Sequence, residues 1–248
     1  MLTLRVEWLS DRGGRAYNED ACGHWRSDGA LCAVLADGAG GHGGGDVASR
    51  LTVREVVGRF AAAPSRSAAE LGSLLRDVNA TLLDQQWPGT PQADMHTTVV
   101  CLVLDFTAQR AHWAHAGDSR LYWFRGGRVF CRTRDHSLVQ SMVDAGMLAP
   151  DQVTQHPQRS ELRSALGLPQ DELELEAADG AGAVDAGDVF LLCTDGLWEY
   201  VDDATLERLL AAADGPRAWL DALAAEVKHS ARHKAQHDNF TALAVWAD

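Results

Sequence analysis

Apolar segments that stop at an aspartate beside a glycine constrain this chain more than any other feature. The aspartates are Asp37, after the apolar run 30–36, Asp118, after 110–116, and Asp195, after 188–193. A fourth, Asp238, comes just before the apolar run 240–247. Short apolar runs bounded by turn residues predict buried strands. The chain therefore has to fold so that several buried strands end in carboxylates.

The chemistry of these aspartates favours a metal site. A single Asp-Gly pair is adequately explained as turn chemistry at a strand end. Four such aspartates, together with Asn18, Glu19 and Asp20, form a set that binds hard cations such as Mg²⁺ and Mn²⁺. If the strand ends converge, these carboxylates repel one another strongly unless cations neutralise them.

The rest of the chain predicts a single α+β domain over residues 1–248. Apolar residues recur at helical spacing over 53–60, and a second helix is expected over 68–86. Two more helices are expected between Asp202 and the last strand. The stretch 137–187 is polar, contains three prolines and lacks apolar periodicity. We interpret it as a segment inserted into the domain.

Composition excludes several classes of protein. The net charge of −13 argues against nucleic-acid binding, which requires surplus lysine and arginine. No apolar run is long enough to cross a bilayer, so no membrane association is expected. The five cysteines are irregularly spaced and form no CxxC pair, and no signal peptide is evident. This pattern predicts reduced thiols and a cytoplasmic protein.

Seven motifs in this order resemble the metal-dependent type 2C protein serine/threonine phosphatases, in the short form of their bacterial branch. They are RAYNED (15–20), ADGAGGH (36–42), TT (97–98), GDSR (117–120), DHS (135–137), CTDGLW (193–198) and DNFT (238–241). The resemblance spans almost the whole chain. It implies a central β-sandwich of two antiparallel sheets flanked by helices, with a mobile flap near the metal ions within 137–187.

The resemblance implies a set of metal ligands: Glu19, Asp37, Gly38, Asp118, Asp195 and Asp238. By position, Asp37 would bridge two Mn²⁺ or Mg²⁺ ions. Asp195 and Asp238 would complete the first ion, while Glu19 and the carbonyl oxygen of Gly38 would bind the second. The residues do not distinguish Mg²⁺ from Mn²⁺, because the same carboxylates suit both.

The remaining roles also follow from the resemblance. Asp118, with Asp195, would hold a third and weaker ion. Asp20 and Asn239 would position neighbouring ligands. Arg15 would bind the substrate phosphate, because its planar fork matches phosphate geometry. Two cations beside the phosphate would neutralise its oxygens and activate a water, so no nucleophilic cysteine or serine is required.

The general acid is less well defined. Eukaryotic members have a histidine two residues after the bridging aspartate, where this chain has Ala39. A water or the nearby His42 would then protonate the leaving group. The alternative for His42 is a turn residue that fixes the glycine-rich loop.

Two other functions fit parts of the sequence. Residues 38–43 match GxGxxG, which is typical of dinucleotide-binding oxidoreductases. Against this, Asp37 would repel a pyrophosphate, and no acidic residue occurs over 60–63, where the ribose ligand belongs. The chain could also be a phosphoprotein-binding module without activity, but such modules typically lose metal aspartates.

Partners follow from the resemblance alone. It implies phosphorylated protein substrates, an opposing serine/threonine kinase and a monomeric enzyme. Control of type VI secretion is one pathway open to such phosphatases, and nothing in the residues selects it. His229, His233 and His237 recur every four residues, which on a continuous helix would form a zinc-binding face or a solvated helix end.

Overall fold

The apolar runs form the strands of two antiparallel sheets in the computed structural model, which describes residues 3–39 and 43–248. The strands are β1 Leu4–Asp11, β2 Asp20–Arg26, β3 Ala30–Ala39, β4 His96–Thr97, β5 Val99–Asp105, β6 Arg110–Ala116, β7 Arg120–Arg125, β8 Arg128–Arg132, β9 Glu176–Asp179, β10 Val189–Cys193 and β11 Phe240–Ala247. The helices are α1 Gly45–Ala62, α2 Ala68–Leu83, α3 Leu138–Asp144, α4 Asp195–Trp198, α5 Asp203–Ala212 and α6 Pro216–Ser230, with a 3₁₀ helix at Pro150–Gln155.

The strand order separates the two sheets. The first sheet runs β1-β11-β10-β7-β8, and the second runs β2-β3-β5-β6-β9 with β4 beside the end of β3. The pairings of these strands are antiparallel. A dinucleotide-binding domain is built on a parallel sheet, so the GxGxxG match at 38–43 does not mark one here.

The layers follow from the alternation of side chains along each strand. In β3, Leu31, Ala33 and Leu35 point between the two sheets. Cys32 and Val34 point the other way, into the core beneath α1 and α2. Both faces of β3 are buried over residues 30–36, which explains the unbroken apolar sequence of that part.

Helices cover the outer faces of both sheets. The first sheet packs against α4, α5 and α6, where Trp219 meets Phe124 edge to face at 5.4 Å. The helices α1 and α2 cover the second sheet. This arrangement confirms the predicted α+β sandwich. None of the helices described is long and apolar enough to span a membrane.

Two elements differ from the sequence-based expectation. The second helix ends at Leu83 rather than at residue 86. The last helix ends at Ser230, so His233 and His237 lie beyond it and do not share one helical face with His229. The hypothesis of a continuous imidazole face is therefore wrong.

The stretch 137–187 is partly structured. It contains α3, the 3₁₀ helix and β9, which pairs with β6 at the edge of the second sheet. Ser137 caps α3 by accepting a 3.2 Å hydrogen bond from the Gln140 amide. The assignment of a flap within this stretch stays a prediction.

Candidate metal and phosphate site

A cleft of about 260 Å³ brings together residues from distant parts of the chain. Its lining comprises Arg15, Glu19, Asp37, Gly38, Ala39, Thr98, Asp118, Ser160, Leu162, Asp195, Asp238 and Asn239. Every predicted metal ligand is among them, as are Arg15 and Asn239. Their assigned roles stay predictions. His42 lies outside the described residues.

Asp37 is held at the floor of the cleft by strand pairing. The sequence predicts that the apolar strand ends at Asp37 and Gly38, but β3 continues to Ala39. The Asp37 amide donates to Thr98 Oγ1 at 3.1 Å, and its carbonyl oxygen accepts from Thr97 Oγ1 and the Thr98 amide, both at 2.8 Å. The paired threonines therefore fix the backbone of this aspartate.

Gly38 occupies a place that no other residue fits. A β-carbon there would overlap the carbonyl group of Gly45 and approach the Glu19 carbonyl oxygen to 2.8 Å. The Gly38 amide already donates to that Glu19 oxygen at 3.2 Å. This close approach places the Glu19 side chain beside the cleft, where its Oε1 atom is buried without a hydrogen-bond partner.

Asp195 and Asp118 come from the first sheet and from the turn that enters it. Asp195 is the first residue of α4, directly after β10, and its Oδ1 atom is buried without a hydrogen-bond partner. Asp118 lies just before β7 and is only 4% exposed. The Trp198 indole anchors the Asp118 backbone by donating to its carbonyl oxygen at 2.9 Å.

Asp20 and Asn239 lie where positioning residues would lie. Thr194 Oγ1 donates to Asp20 Oδ2 at 3.1 Å, while Asp20 Oδ1 is buried without a partner. The Asn239 side chain accepts from the Glu19 amide at 2.9 Å. Its Nδ2 atom donates to the carbonyl oxygens of Arg12 and Tyr17, at 2.8 and 3.1 Å. Asn239 thus ties the segment that carries Glu19 to the start of β11.

The electrostatics of the cleft favour cation binding. Burial, followed by the charges of Asp20 and Asp195, raises the pKa of Asp37 well above its ordinary value. Burial and then Asp118 do the same to the pKa of Asp195. Burial raises the pKa of both Asp118 and Asp20 to about 7, and Asp135 adds to the rise at Asp118. These raised pKa values, with the partnerless oxygens, are what a site built for divalent cations requires.

Arg15 contacts a predicted ligand rather than lying free. Its Nη2 atom forms a 2.6 Å salt bridge with Asp238 Oδ2, and the two side chains are 50% and 42% exposed. Among residues 3–39 and 43–248, no three carboxylates of the cleft have oxygens within 4.8 Å of one another.

Comparison with known proteins identifies the family. Residues 10–230 match the family model described as protein phosphatase 2C. The chain belongs to this family. The predicted resemblance to type 2C phosphatases is thereby confirmed.

Curated relatives and solved structures agree with the type 2C assignment. The chain is 36% identical over 207 residues to the serine/threonine protein phosphatase PstP of Mycobacterium tuberculosis, covering 83% of this chain but only 38% of that protein. It is 30% identical over 214 residues to the serine/threonine phosphatase stp of Listeria innocua, covering 84% of this chain and 83% of that one. The solved catalytic domain of PstP in complex with two manganese ions superposes with a TM-score of 0.77 at 30% identity, covering 100% of this chain and 99% of that one.

Some residues of this type 2C phosphatase site were missed by the sequence reasoning. Ser160 and Leu162 line the cleft from the stretch 137–187, which has no apolar periodicity that could single them out. Arg120 and Asp135 form a buried pair next to Asp118, with Nη2 to Oδ2 at 2.7 Å. Their motifs GDSR and DHS were recognised, but sequence spacing does not show that they meet.

Proposed function

We propose that this type 2C phosphatase hydrolyses phosphoserine and phosphothreonine in proteins, with Mn²⁺ or Mg²⁺ as its cofactor. The observation that carries the proposal is the cleft itself. Acidic side chains from separate strands and turns converge there with unpartnered oxygens, and an arginine lies at the rim. An acidic cleft repels phosphate unless cations intervene, so the substrate and the cofactor are proposed together.

The ligand assignment is the one that the resemblance to the type 2C phosphatases implies, and all of its residues line the cleft. Asp37 would bridge two ions, with Asp195 and Asp238 on the first and with Glu19 and the Gly38 carbonyl oxygen on the second. The ions, when bound, would neutralise the phosphoryl oxygens and lower the pKa of a water that attacks phosphorus. Asp118 and Asp195 would share a third, weaker ion.

The protein's own groups orient the substrate and the ligands. Arg15 would donate two parallel hydrogen bonds to the phosphoryl oxygens after leaving Asp238. Asn239 holds the Glu19 backbone, and Thr194 donates to the Asp20 carboxylate. Ala39 lines the cleft where eukaryotic relatives have a histidine, and it has no proton to donate. We therefore assign protonation of the leaving group to water or to His42.

The biological setting is part of the proposal. Phosphorylated proteins are the substrates, and a serine/threonine kinase adds the phosphate groups that this enzyme removes. We infer a cytoplasmic monomer: all five cysteines are free thiols, which suits a reducing compartment. The net charge of −13 opposes self-association through mutual repulsion.

Chelation tests the proposal directly. We expect the enzyme to release phosphate from a phosphothreonine peptide, to lose this activity in EDTA, and to regain it with Mn²⁺ or Mg²⁺. Asp37→Asn should be inactive under all these conditions. Asp94→Asn is the matched control, because the Asp94 side chain is 92% exposed, and it should behave as wild type.

Two outcomes would contradict the proposal. Activity that survives full chelation excludes the metal-dependent mechanism. Binding of the phosphopeptide without turnover, with Mn²⁺ present, would favour the non-catalytic phosphoprotein-binding module.

A further inference from the structure

The chain has only two lysines, Lys228 and Lys234, and they differ in whether a carboxylate neutralises them. Lys228 lies in α6, and its Nζ atom is 2.8 Å from Asp11 Oδ2. Lys234 lies beyond the end of α6, is exposed, and forms no salt bridge with any residue that the structure describes. The surrounding stretch 228–237 contains no acidic residue. The positive charge of Lys234 is therefore available to a ligand.

The segment that carries Lys234 packs against the segment that carries Arg15. The Gly14 amide donates to the His237 carbonyl oxygen at 3.0 Å. A β-carbon on Gly14 would lie 2.3 Å from the Ala235 carbonyl oxygen, so the two backbones approach this closely only because residue 14 is glycine. The next residue is Arg15, which is proposed to bind the substrate phosphate. Lys234 therefore lies one residue before this contact, on the side of the cleft where the phosphate is proposed to bind.

The ammonium group of Lys234 lies close to the end of α4, another border of the cleft. Its Nζ atom is 4.9 Å from the centre of the Tyr200 ring, within the range of a cation–π contact. Tyr200 comes shortly after α4, which begins at the predicted metal ligand Asp195. The neighbouring Glu199 carboxylate already pairs with Arg159 Nε at 2.6 Å. The aromatic ring therefore positions the lysine at the rim without neutralising its charge.

We propose that Lys234 binds an acidic side chain of the substrate protein next to the phosphorylated serine or threonine. This inference rests on the proposed phosphatase function. The cleft, at about 260 Å³, is smaller than pockets for drug-sized ligands, so it holds little more than the phosphorylated side chain and the flanking residues lie across its rim. An acidic flanking residue meets a positive charge there, on a protein whose net charge of −13 otherwise repels it.

The exposed position of Lys234 determines which kinetic constant changes. A contact with a flanking residue is the same in the bound substrate and in the transition state, so it lowers KM and leaves kcat unchanged. An exposed ion pair changes the affinity only a few-fold, and salt weakens it. The expected effect is therefore a moderate, salt-sensitive preference for acidic substrates that is expressed in KM.

Steady-state kinetics on a pair of phosphothreonine peptides test the proposal, with Mn²⁺ present. The peptides differ only in carrying glutamate or glutamine on both sides of the phosphothreonine. For wild type, the KM of the glutamate peptide should be about threefold lower at equal kcat. The difference should disappear at ~1 M NaCl, where the Debye length is ~3 Å. Lys234→Gln should lose the preference, and Lys234→Arg should retain it. Lys228→Gln is the matched control and should retain it, because Asp11 already neutralises Lys228.

The outcomes separate this inference from the proposed function. Equal KM for the two peptides in an active wild-type enzyme would overturn the role of Lys234 and leave the phosphatase function intact. A preference that persists in Lys234→Gln, or that is lost equally in Lys228→Gln, would also overturn it, because the preference would then come from other charges of the protein. Inactivity towards both peptides would overturn the proposed function, and this inference with it.

Discussion

The buried acidic side chains near Asp118 differ in whether the protein supplies a counter-charge. Asp135 is buried and receives two hydrogen bonds from Arg120, at 2.9 and 2.7 Å. Asp37 and Asp195 lie at the floor of the cleft, enclosed by protein except where they face the opening. Neither forms a salt bridge with any residue that the structure describes. The protein therefore neutralises one buried acid with its own arginine and leaves the others without a cation.

The difference fits a structural role for Asp135 and the proposed metal-binding role for Asp37 and Asp195. The Arg120 guanidinium also lies 3.6 Å above the centre of the Trp198 ring and donates to the Tyr122 hydroxyl at 3.2 Å. These contacts fix the pair in one geometry, as a fold requires. Uncompensated carboxylates are unfavourable in the metal-free chain, and they become favourable only when a divalent cation binds.

The largest loss of stability is expected when the buried salt bridge between Arg120 and Asp135 is broken. Arg120→Met leaves Asp135 buried without a counter-charge and should lower the free energy of unfolding by about 3–5 kcal/mol. Urea denaturation of wild type and Arg120→Met measures this difference in the free energy of unfolding. The double variant Arg120→Met/Asp135→Leu should recover much of the loss, because no lone charge stays buried.

An exposed pair serves as the control for this variant. The Arg128 side chain is 80% exposed and pairs with Glu207 at 2.5 Å. Arg128→Met should change the free energy of unfolding by at most about 1 kcal/mol, as is usual for surface pairs. If both single variants lose the same stability, burial does not distinguish the two pairs and the contrast drawn above is wrong.

Arg15→Ala should lower catalytic efficiency by a smaller free energy. The reason is that Arg15 is proposed to bind the substrate phosphate and not the metal ions. Loss of hydrogen bonds to a charged group costs about 1.5–3 kcal/mol, which corresponds to a ten- to hundredfold fall in kcat/KM. Mn²⁺ affinity should be unchanged or slightly higher, because Asp238 is released from its salt bridge. Arg12→Ala, at a neighbouring exposed arginine, is the control. A collapse of Mn²⁺ binding in Arg15→Ala would contradict the assignment.

The smallest catalytic effect is expected at Asp118, the proposed ligand of a weaker third ion. Asp118→Asn should retain two tightly bound Mn²⁺ ions in calorimetry, while kcat on a phosphothreonine peptide falls about tenfold, ~1.4 kcal/mol. Loss of the tight ions would make Asp118 a core ligand. Full activity would show that a third ion has no part in turnover.

The sequence predicts the fold well because its strands are continuous apolar runs ending at turn residues. That pattern identifies β3, β10 and β11 and places an aspartate at one end of each. The ordered motifs then bring the predicted ligands into one site, which matches the cleft. The strand was expected to end at Asp37 and Gly38, but pairing with β2 and β4 extends β3 to Ala39, three residues beyond its apolar run.

The remaining features depend on contacts that local sequence does not encode. Arg120 meets Asp135 across a hairpin, and Arg15 reaches Asp238 over 223 residues. His115 faces Glu176 only because β9 adds to the edge of the second sheet. Each of these contacts depends on how separate segments pack together. Sequence periodicity indicates only which face of a helix or strand is buried.

The cleft carboxylates should lower the free energy of unfolding of the protein until divalent cations bind to them. The most direct test compares the unfolding of wild type and Asp37→Asn, with and without Mn²⁺. Without metal, Asp37→Asn should be the more stable protein at pH 7.5, because burial and the neighbouring carboxylates raise the pKa of Asp37 and make its charged form unfavourable. The raised pKa of Asp37 lowers wild-type stability as pH rises above the unfolded-state value, so the difference should shrink towards about pH 4.

Addition of Mn²⁺ should reverse the order of stability. Wild type gains about 2.7 kcal/mol at a hundredfold excess over Kd, and Asp37→Asn gains little. With Mn²⁺ present, wild type should therefore be the more stable of the two proteins. A metal-free Asp37→Asn protein less stable than wild type, with the same gain from Mn²⁺ in both, would contradict it.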